Sequence, residues 1–246
     1  MTTPKTPSPS KSSPPEQKKA ATRKKRAVKK KAAAKDASKV LSKVEEAKAQ
    51  MYRGLIFQAA EQAFGDYGFA ETTMQEIASA TGVSVKTVYA SFPGKKDLYD
   101  AIMVERGEEM HDRVLAAQDA EIEPVEKLTA GLRAFIHFFF DHPSWTKMHA
   151  MSRASWAVRP HDRKHLKLWE KSQAADCKVL REGIEAGIFF DEDPEEVARL
   201  IRAMTRVQAM HAFEAGGKTA EEVADSLTRR VLRMVCRDPK DASVSR

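Results

Sequence analysis

Ammonium and guanidinium groups are the chemistry that this 246-residue chain offers most of, and they are unevenly placed. Residues 1–50 hold 15 Lys and Arg against 4 Asp and Glu, whereas the rest of the chain holds 27 against 31, so the formal net charge of +7 belongs to the N-terminal segment. The densest run is KKAATRKKRAVKKKAAAK at 18–35. A cation set beside a phosphate releases condensed counterions, which gives a polyanion salt-sensitive affinity without reading its sequence. Low complexity and self-repulsion argue against a packed core here, so residues 1–37 are expected to be a disordered Lys/Ala/Pro-rich tail. A solubility appendage is the other reading.

The composition of this tail is similar to that of histone-H1-like and actinobacterial nucleoid-protein tails, which favours DNA as its partner. Other chemistry finds little support. His161 and His165 stand four apart, but no acidic residue joins them at a metal-motif spacing, so no metal is expected. Two cysteines, Cys177 and Cys236, cannot build a disulfide framework; they fit a reducing cytoplasm and are read as buried, inert thiols. There is no Gly-rich phosphate loop, nucleophile elbow or Cys/His zinc spacing, so catalytic residues and cofactors are not expected and the chain is not read as an enzyme. No apolar run approaches the roughly 20 residues of a membrane span; Phe135–Phe140 is short and includes His137. A soluble, cytoplasmic protein is expected.

The informative stretch is ETTMQEIASATGVSVKTVYASFPGKKDLYD at 71–100. Thr73 and Glu76 form a capping box that starts a helix, with Ile77 as its buried anchor. Ala78, Gly82 and Val88 fall at the spacing of a helix-turn-helix: a small residue where the helices cross, a glycine able to take positive φ in the turn, and a valine returning to the core. Ser84 caps the second helix, Val85 to Phe92, whose Val88 and Phe92 face inward and leave Lys86, Thr87, Ala90 and Ser91 mostly outward.

This pattern resembles the DNA-binding domain of the TetR family of bacterial transcriptional regulators. The resemblance is carried by Arg53, Ile56, Ala59-Ala60, Phe64, Gly68, Thr73, Ile77-Ala78, Gly82-Val83-Ser84, Thr87-Val88-Tyr89, Phe92, Lys95 and Leu98. It implies that Thr73 and Gln75 meet double-stranded DNA from the first helix of the motif. It also implies that Val85, Lys86, Thr87 and Tyr89 lie on the recognition helix, and that Lys95 meets phosphate at the start of the fourth helix. Ser84 and Ser91 complete the candidate DNA-binding set. The Lys86 ammonium on the recognition helix can donate to guanine O6 and N7; many relatives have Gly where Lys86 stands and an aromatic or His where Ser91 stands, so a phosphate or base contact is expected to be lost at one and gained at the other. Residues 51–100 carry 4 basic against 6 acidic side chains, a deficit that the tail would offset.

The elements that must position these groups read as all-α, in roughly nine helices. Val40, Val44, Met51 and Leu55 recur on one helical face, Ser42 and Glu45 offer a capping box, and the Gly65–Gly68 region stops the first helix. The expected organisation is a tail at 1–37, a helix-turn-helix DNA-binding domain at 38–98, a helical effector-binding and dimerisation domain at 99–238, and a C-terminal tail at 239–246. Residues 193–217 and 219–236 are amphipathic, capped by Asp193 before Pro194 and by Thr219 with Glu222. The resemblance implies that these two helices pair across a two-fold axis in a homodimer, setting two recognition helices on successive major grooves of a palindromic operator. Phe135, Phe138, Phe139, Trp145, Met148 and Trp169 are candidate pocket residues for a small apolar or aromatic effector, or plain core. Binding would act by moving the fourth helix, Lys95 to about Gln118. The expected function is a ligand-responsive repressor; the alternative is a nucleoid-associated or architectural DNA-binding protein.

Overall fold

The computed structural model of the chain describes residues 15–151, 163–238 and 240. Among them the all-α expectation holds. Nine helices follow in the order α1 (Pro15–Glu71), α2 (Met74–Thr81), α3 (Val85–Ser91), α4 (Lys95–Asp119), α5 (Pro124–Asp141), α6 (Pro143–Met151), α7 (Arg163–Glu185), α8 (Pro194–Ala215) and α9 (Ala220–Val235). The chain divides into two units, Met1–Tyr52 and Arg53–Arg246, with the boundary inside α1 rather than at residue 38.

In the first unit the backbone is helical from Pro15 onward, where a disordered tail was expected up to residue 37. Ala, Lys, Arg, Glu and Gln are among the better helix formers, so local preference favours helix here. Ser42 starts no helix. It lies mid-helix and donates its hydroxyl to the Lys39 carbonyl at 3.1 Å, so the expected capping box with Glu45 does not form. The expected apolar face is not a core face either: Val44 and Met51 are 59% and 53% exposed, and Leu41 beside them 63%. A helical period aligns side chains but supplies no partner, and among the described residues of this unit there is no second element.

The second unit opens with the part of α1 that buries Ile56, Ala60 and Phe64. Leu55, read as continuing the apolar face, stays 43% exposed. Gly68, at φ 85°, breaks the helical backbone before Glu71, and the Thr72 hydroxyl donates to its carbonyl at 2.8 Å. Ile77 and Ala78 of α2, Val88 of α3, Phe92, and Leu98 and Ile102 of α4 close the small core over these residues. The expected domain boundary at 98/99 therefore falls inside α4, whose other half carries buried His111 and Gln118 into the larger domain.

In that larger domain α5 is central, packed on α4, α6, α7, α8 and α9. Its sequence dictates this, because Leu128, Leu132, Ile136 and Phe139 recur on one face and are all buried. The expected caps form: Asp193 accepts from the Glu195 amide at 3.0 Å, and Thr219 and Glu222 make a reciprocal box. The connection between α7 and α8 is tied to the end of α9 by Phe190 N donating to Val235 O at 2.8 Å and Arg237 N to Ile188 O at 2.9 Å. Phe189 beside it packs on Gly183 so closely that a Cβ there would lie 2.0 Å from the ring.

Candidate nucleic-acid interface

The turn between α2 and α3 is built as its residues require. Thr73 accepts from the Glu76 amide at 3.2 Å, and the Glu76 carboxyl, which accepts from the Thr73 hydroxyl at 2.8 Å and from the Thr73 amide at 2.7 Å, is held below its usual range by these two bonds, the hydroxyl first. Gly82 takes the left-handed conformation at φ 69° and closes α2. The Ser84 hydroxyl accepts from the Thr87 amide at 3.1 Å and so starts α3. Val88, 0% exposed, and Phe92, 2% exposed, fasten that short helix from below.

Pinned in this way, α3 presents one face outward. Val85, Lys86 and Tyr89 are exposed, as are Thr73 and Gln75 at the start of α2 and Ser84 in the turn. Lys86 has no ion-pair partner among the described residues, so its ammonium is available to a base edge or a phosphate. Besides the capping residues Thr73 and Ser84, three of the nine candidates are engaged within the fold. Thr87 is half-buried against the Ser84 hydroxyl at 2.8 Å, and Ser91 donates to the Thr87 carbonyl at 3.1 Å. Lys95 donates to the carbonyls of Phe69 and Ala70 at 2.7 and 3.2 Å and lies over the Phe69 ring, closing the end of α1.

Two positioning groups lie beyond what periodicity reveals. Arg53, read from the sequence only as part of a pattern, stacks its guanidinium 4.3 Å above the Phe92 ring, reaches the last carbonyl of α3 at Ser91 and pairs with Glu105 of α4 at 2.7 Å. Glu61 of α1, 6% exposed, is gripped by Arg106 of α4 through Nε and Nη2, and Arg106 also reaches Glu109 at 2.6 Å. Both arginines tie the helix-turn-helix to α4. Glu109 apart, their hydrogen-bond partners stand 38 to 52 residues away in sequence, a separation that no local signal spans. Backbone packing adds a third tie, since a Cβ on Gly65 would meet the Ser144 carbonyl at 2.6 Å.

The six candidate effector residues lie in the larger domain. Phe138, Phe139, Trp145 and Met148 are buried, and their rings interlock: Phe139 stacks on Phe135 at 4.8 Å and meets Trp145 edge-on at 5.2 Å. Phe135 is half-buried, and Trp169 stands apart, half-buried on α7. A cavity of about 30 Å³, room for one water, lies instead among Leu180, Phe189, Val197 and Val235. An open cleft of about 220 Å³ lies beside Glu61, Arg106 and His142. His142 in that cleft is held below the usual imidazole range by burial and by Arg106; Glu109 stands 3.4 Å away, at ion-pair distance without hydrogen-bond geometry.

Among the described residues no group of three His, Cys, Asp or Glu side chains could hold a metal, and no helix is long and apolar enough to cross a membrane. The His161/His165 pair lies outside the described side chains. Both cysteines are buried, and burial pushes the Cys177 thiol up.

Known proteins share this arrangement. The family description "Bacterial regulatory proteins, tetR family" matches residues 56–102, and "Tetracyclin repressor-like, C-terminal domain" matches 121–235. The HTH-type transcriptional repressor KstR2 of Mycobacterium tuberculosis is 24% identical over 188 residues, 73% of this chain and 90% of that protein. The HTH-type transcriptional regulator TtgR of Pseudomonas putida is 37% identical over 76 residues, 31% of this chain and 36% of its own length. The solved structure of the ketosteroid transcriptional regulator KstR2 of Mycobacterium tuberculosis superimposes with a TM-score of 0.64 at 23% identity, covering 76% of this chain and 96% of that one. The fatty acid degradation regulator FadR of Bacillus halodurans gives 0.64 at 17% identity, covering 73% and 94%. A capped helix-turn-helix on a helical domain, matched in both parts, makes the chain a member of the TetR family of DNA-binding transcriptional regulators.

Proposed function

We propose that the chain is a repressor that binds a palindromic operator as a homodimer and is released by a small molecule. The observation that carries the reading is the outward face of α3, where Val85, Lys86 and Tyr89 stand exposed above a buried Val88. An exposed apolar stripe on α8 supports self-association: Leu200 and Val207 are 54% and 51% exposed, with Met204 between them and Met234 of α9 at 38%. A stripe of this kind on the last two helices suits a two-fold four-helix interface. Thr73, Gln75, Ser84, Val85, Lys86 and Tyr89 are the contact residues of this reading, with Thr87, Ser91 and Lys95 as supports. The effector acts through α4, which Arg53 and Arg106 couple to the DNA-binding domain. The basic segment before Ser38 adds salt-sensitive affinity.

Selection of genomic fragments by the purified full chain at physiological salt tests this. The expected result is an inverted repeat whose half-sites lie about 34–36 Å apart and whose binding survives excess random duplex. Binding that random duplex abolishes, with no sequence enriched, would favour the architectural reading.

A further inference from the structure

The larger domain buries a polar seam that the fold alone leaves incomplete. Gln118 of α4 donates to Asp176 of α7 at 3.4 Å, and Asp176 accepts from Arg202 of α8 at 2.7 Å. One turn further along α8, on the same side, stands Arg206. Its Nε is buried without a hydrogen-bond partner, and among the described residues no carboxylate pairs with it. Its charged neighbour is Arg202, and burial together with that like charge pushes the Arg206 guanidinium below its ordinary range.

Other unpartnered groups lie on the adjoining turn of α7. The connection of α7 to α8 is short, so the two helices run as antiparallel neighbours, and the turn preceding Asp176 holds Ser172 and Gln173. The Gln173 side-chain oxygen is buried without a donor in a residue 9% exposed. Ser172 bonds Nδ1 of His111 at 2.8 Å; His111 is 4% exposed, and its Nε2 has no partner. When the serine hydroxyl donates to Nδ1, Nε2 carries the proton and becomes a second donor beside the guanidinium. Arg206 is half-buried with its Nε shut off from water and unpartnered, and a guanidinium fork matches a carboxylate geometrically.

We propose that the effector carries a carboxylate on an otherwise apolar body, and that Arg206 seats this headgroup with His111 beside it. The proposal rests on the reading of this domain as effector-binding and adds the chemical class of its ligand. Arg206 completes its ion pair when the ligand enters, so occupancy and order across α4, α7 and α8 rise together.

The test uses the full chain, with decanoate and decanol as probes. Decanoate should bind at least about tenfold more tightly than decanol, the difference expected of one charge-assisted bond. Arg206→Met should erase that preference, and Arg206→Lys should retain part of it. Without ligand, Arg206→Met should melt a few degrees higher than the parent, because an unpaired, half-buried charge with an orphaned Nε has gone. Equal affinity for the two probes, absence of decanoate binding, a preference that survives Arg206→Met, or a lower melting temperature in that variant would each overturn the proposal. Operator affinity measured alongside separates the two readings. Decanoate that binds through Arg206 yet leaves operator affinity unchanged refutes the effector role and keeps the anion seat. Release by decanol as readily as by decanoate refutes the anion seat and keeps the effector role.

Discussion

Replacing Arg106 by Met while leaving Glu61 in place should be among the most damaging single changes to this fold. The Glu61 carboxylate is 6% exposed and accepts from Arg106 Nε at 3.1 Å and from Nη2 at 2.8 Å. Without the guanidinium it is stranded in the cleft between α1 and α4, and a stranded buried charge costs about 3–5 kcal/mol. The Arg106 side chain is 23% exposed and its second partner, Glu109, 48%, so water can reach the site and the lower figure, about 3 kcal/mol, is the expected one. For a chain of this size that corresponds to a fall in Tm of about 6–12 °C at fixed protein concentration. Joining the change to Glu61→Leu should restore stability to within about 1 kcal/mol of the parent, because an apolar pair of similar volume needs no desolvation. The assay is a double-mutant cycle by thermal or urea unfolding, and the expected coupling energy is at least about 2 kcal/mol. A single variant costing under about 1 kcal/mol, or effects that simply add, would refute the view that this pair fastens α1 to α4.

Other outcomes follow from the same geometry. Lys86→Ala should relax operator choice at one base pair by about 1–3 kcal/mol and leave folding unchanged, as read by competition among operator variants. Deleting residues 1–37 should weaken binding to every duplex and flatten its salt dependence while preserving preference between sequences, as read by titrations at several salt concentrations. His111 and His142 are both held below the usual imidazole range by burial, so the unfolded chain binds more protons in mild acid. Their contribution to stability is present above pH about 6.5 and is lost as pH falls through their lowered folded values; melting curves should show this, with a shallower slope in His111→Asn. Gly183→Ala should cost about 1–3 kcal/mol, measured by unfolding, because its Cβ would meet the Phe189 ring.

How much of this was legible in the sequence depended on distance along the chain. The Thr73–Glu76 box, the Gly82 turn and the Ser84 cap each close within four residues, so identity and spacing revealed them before any fold was known. The apolar face through Val44 and Met51 was equally periodic yet lies exposed, since periodicity says which residues align and not whether anything covers them. Phe138, Phe139 and Trp145 were recognised as an aromatic group, but the edge-on interlocking of their rings depends on packing that composition does not carry. Arg53 with Glu105, Arg106 with Glu61 and the unpaired Arg206 were beyond reach, because each depends on elements that only tertiary packing brings together.

The uninterrupted course of α4 across both parts of the second unit has a consequence for anyone building hybrid regulators. Leu98 and Ile102 at one end and His111 and Gln118 at the other are fixed in phase by a single rod that turns 3.6 residues per revolution. A graft joined within this rod inherits that phase. One residue inserted or removed between Ile102 and His111 would swing everything downstream by about 100°. Transplanting a sensor between relatives thus becomes a question of screw register, and exchanges that conserve whole turns should outlast those that conserve only sequence similarity at the seam.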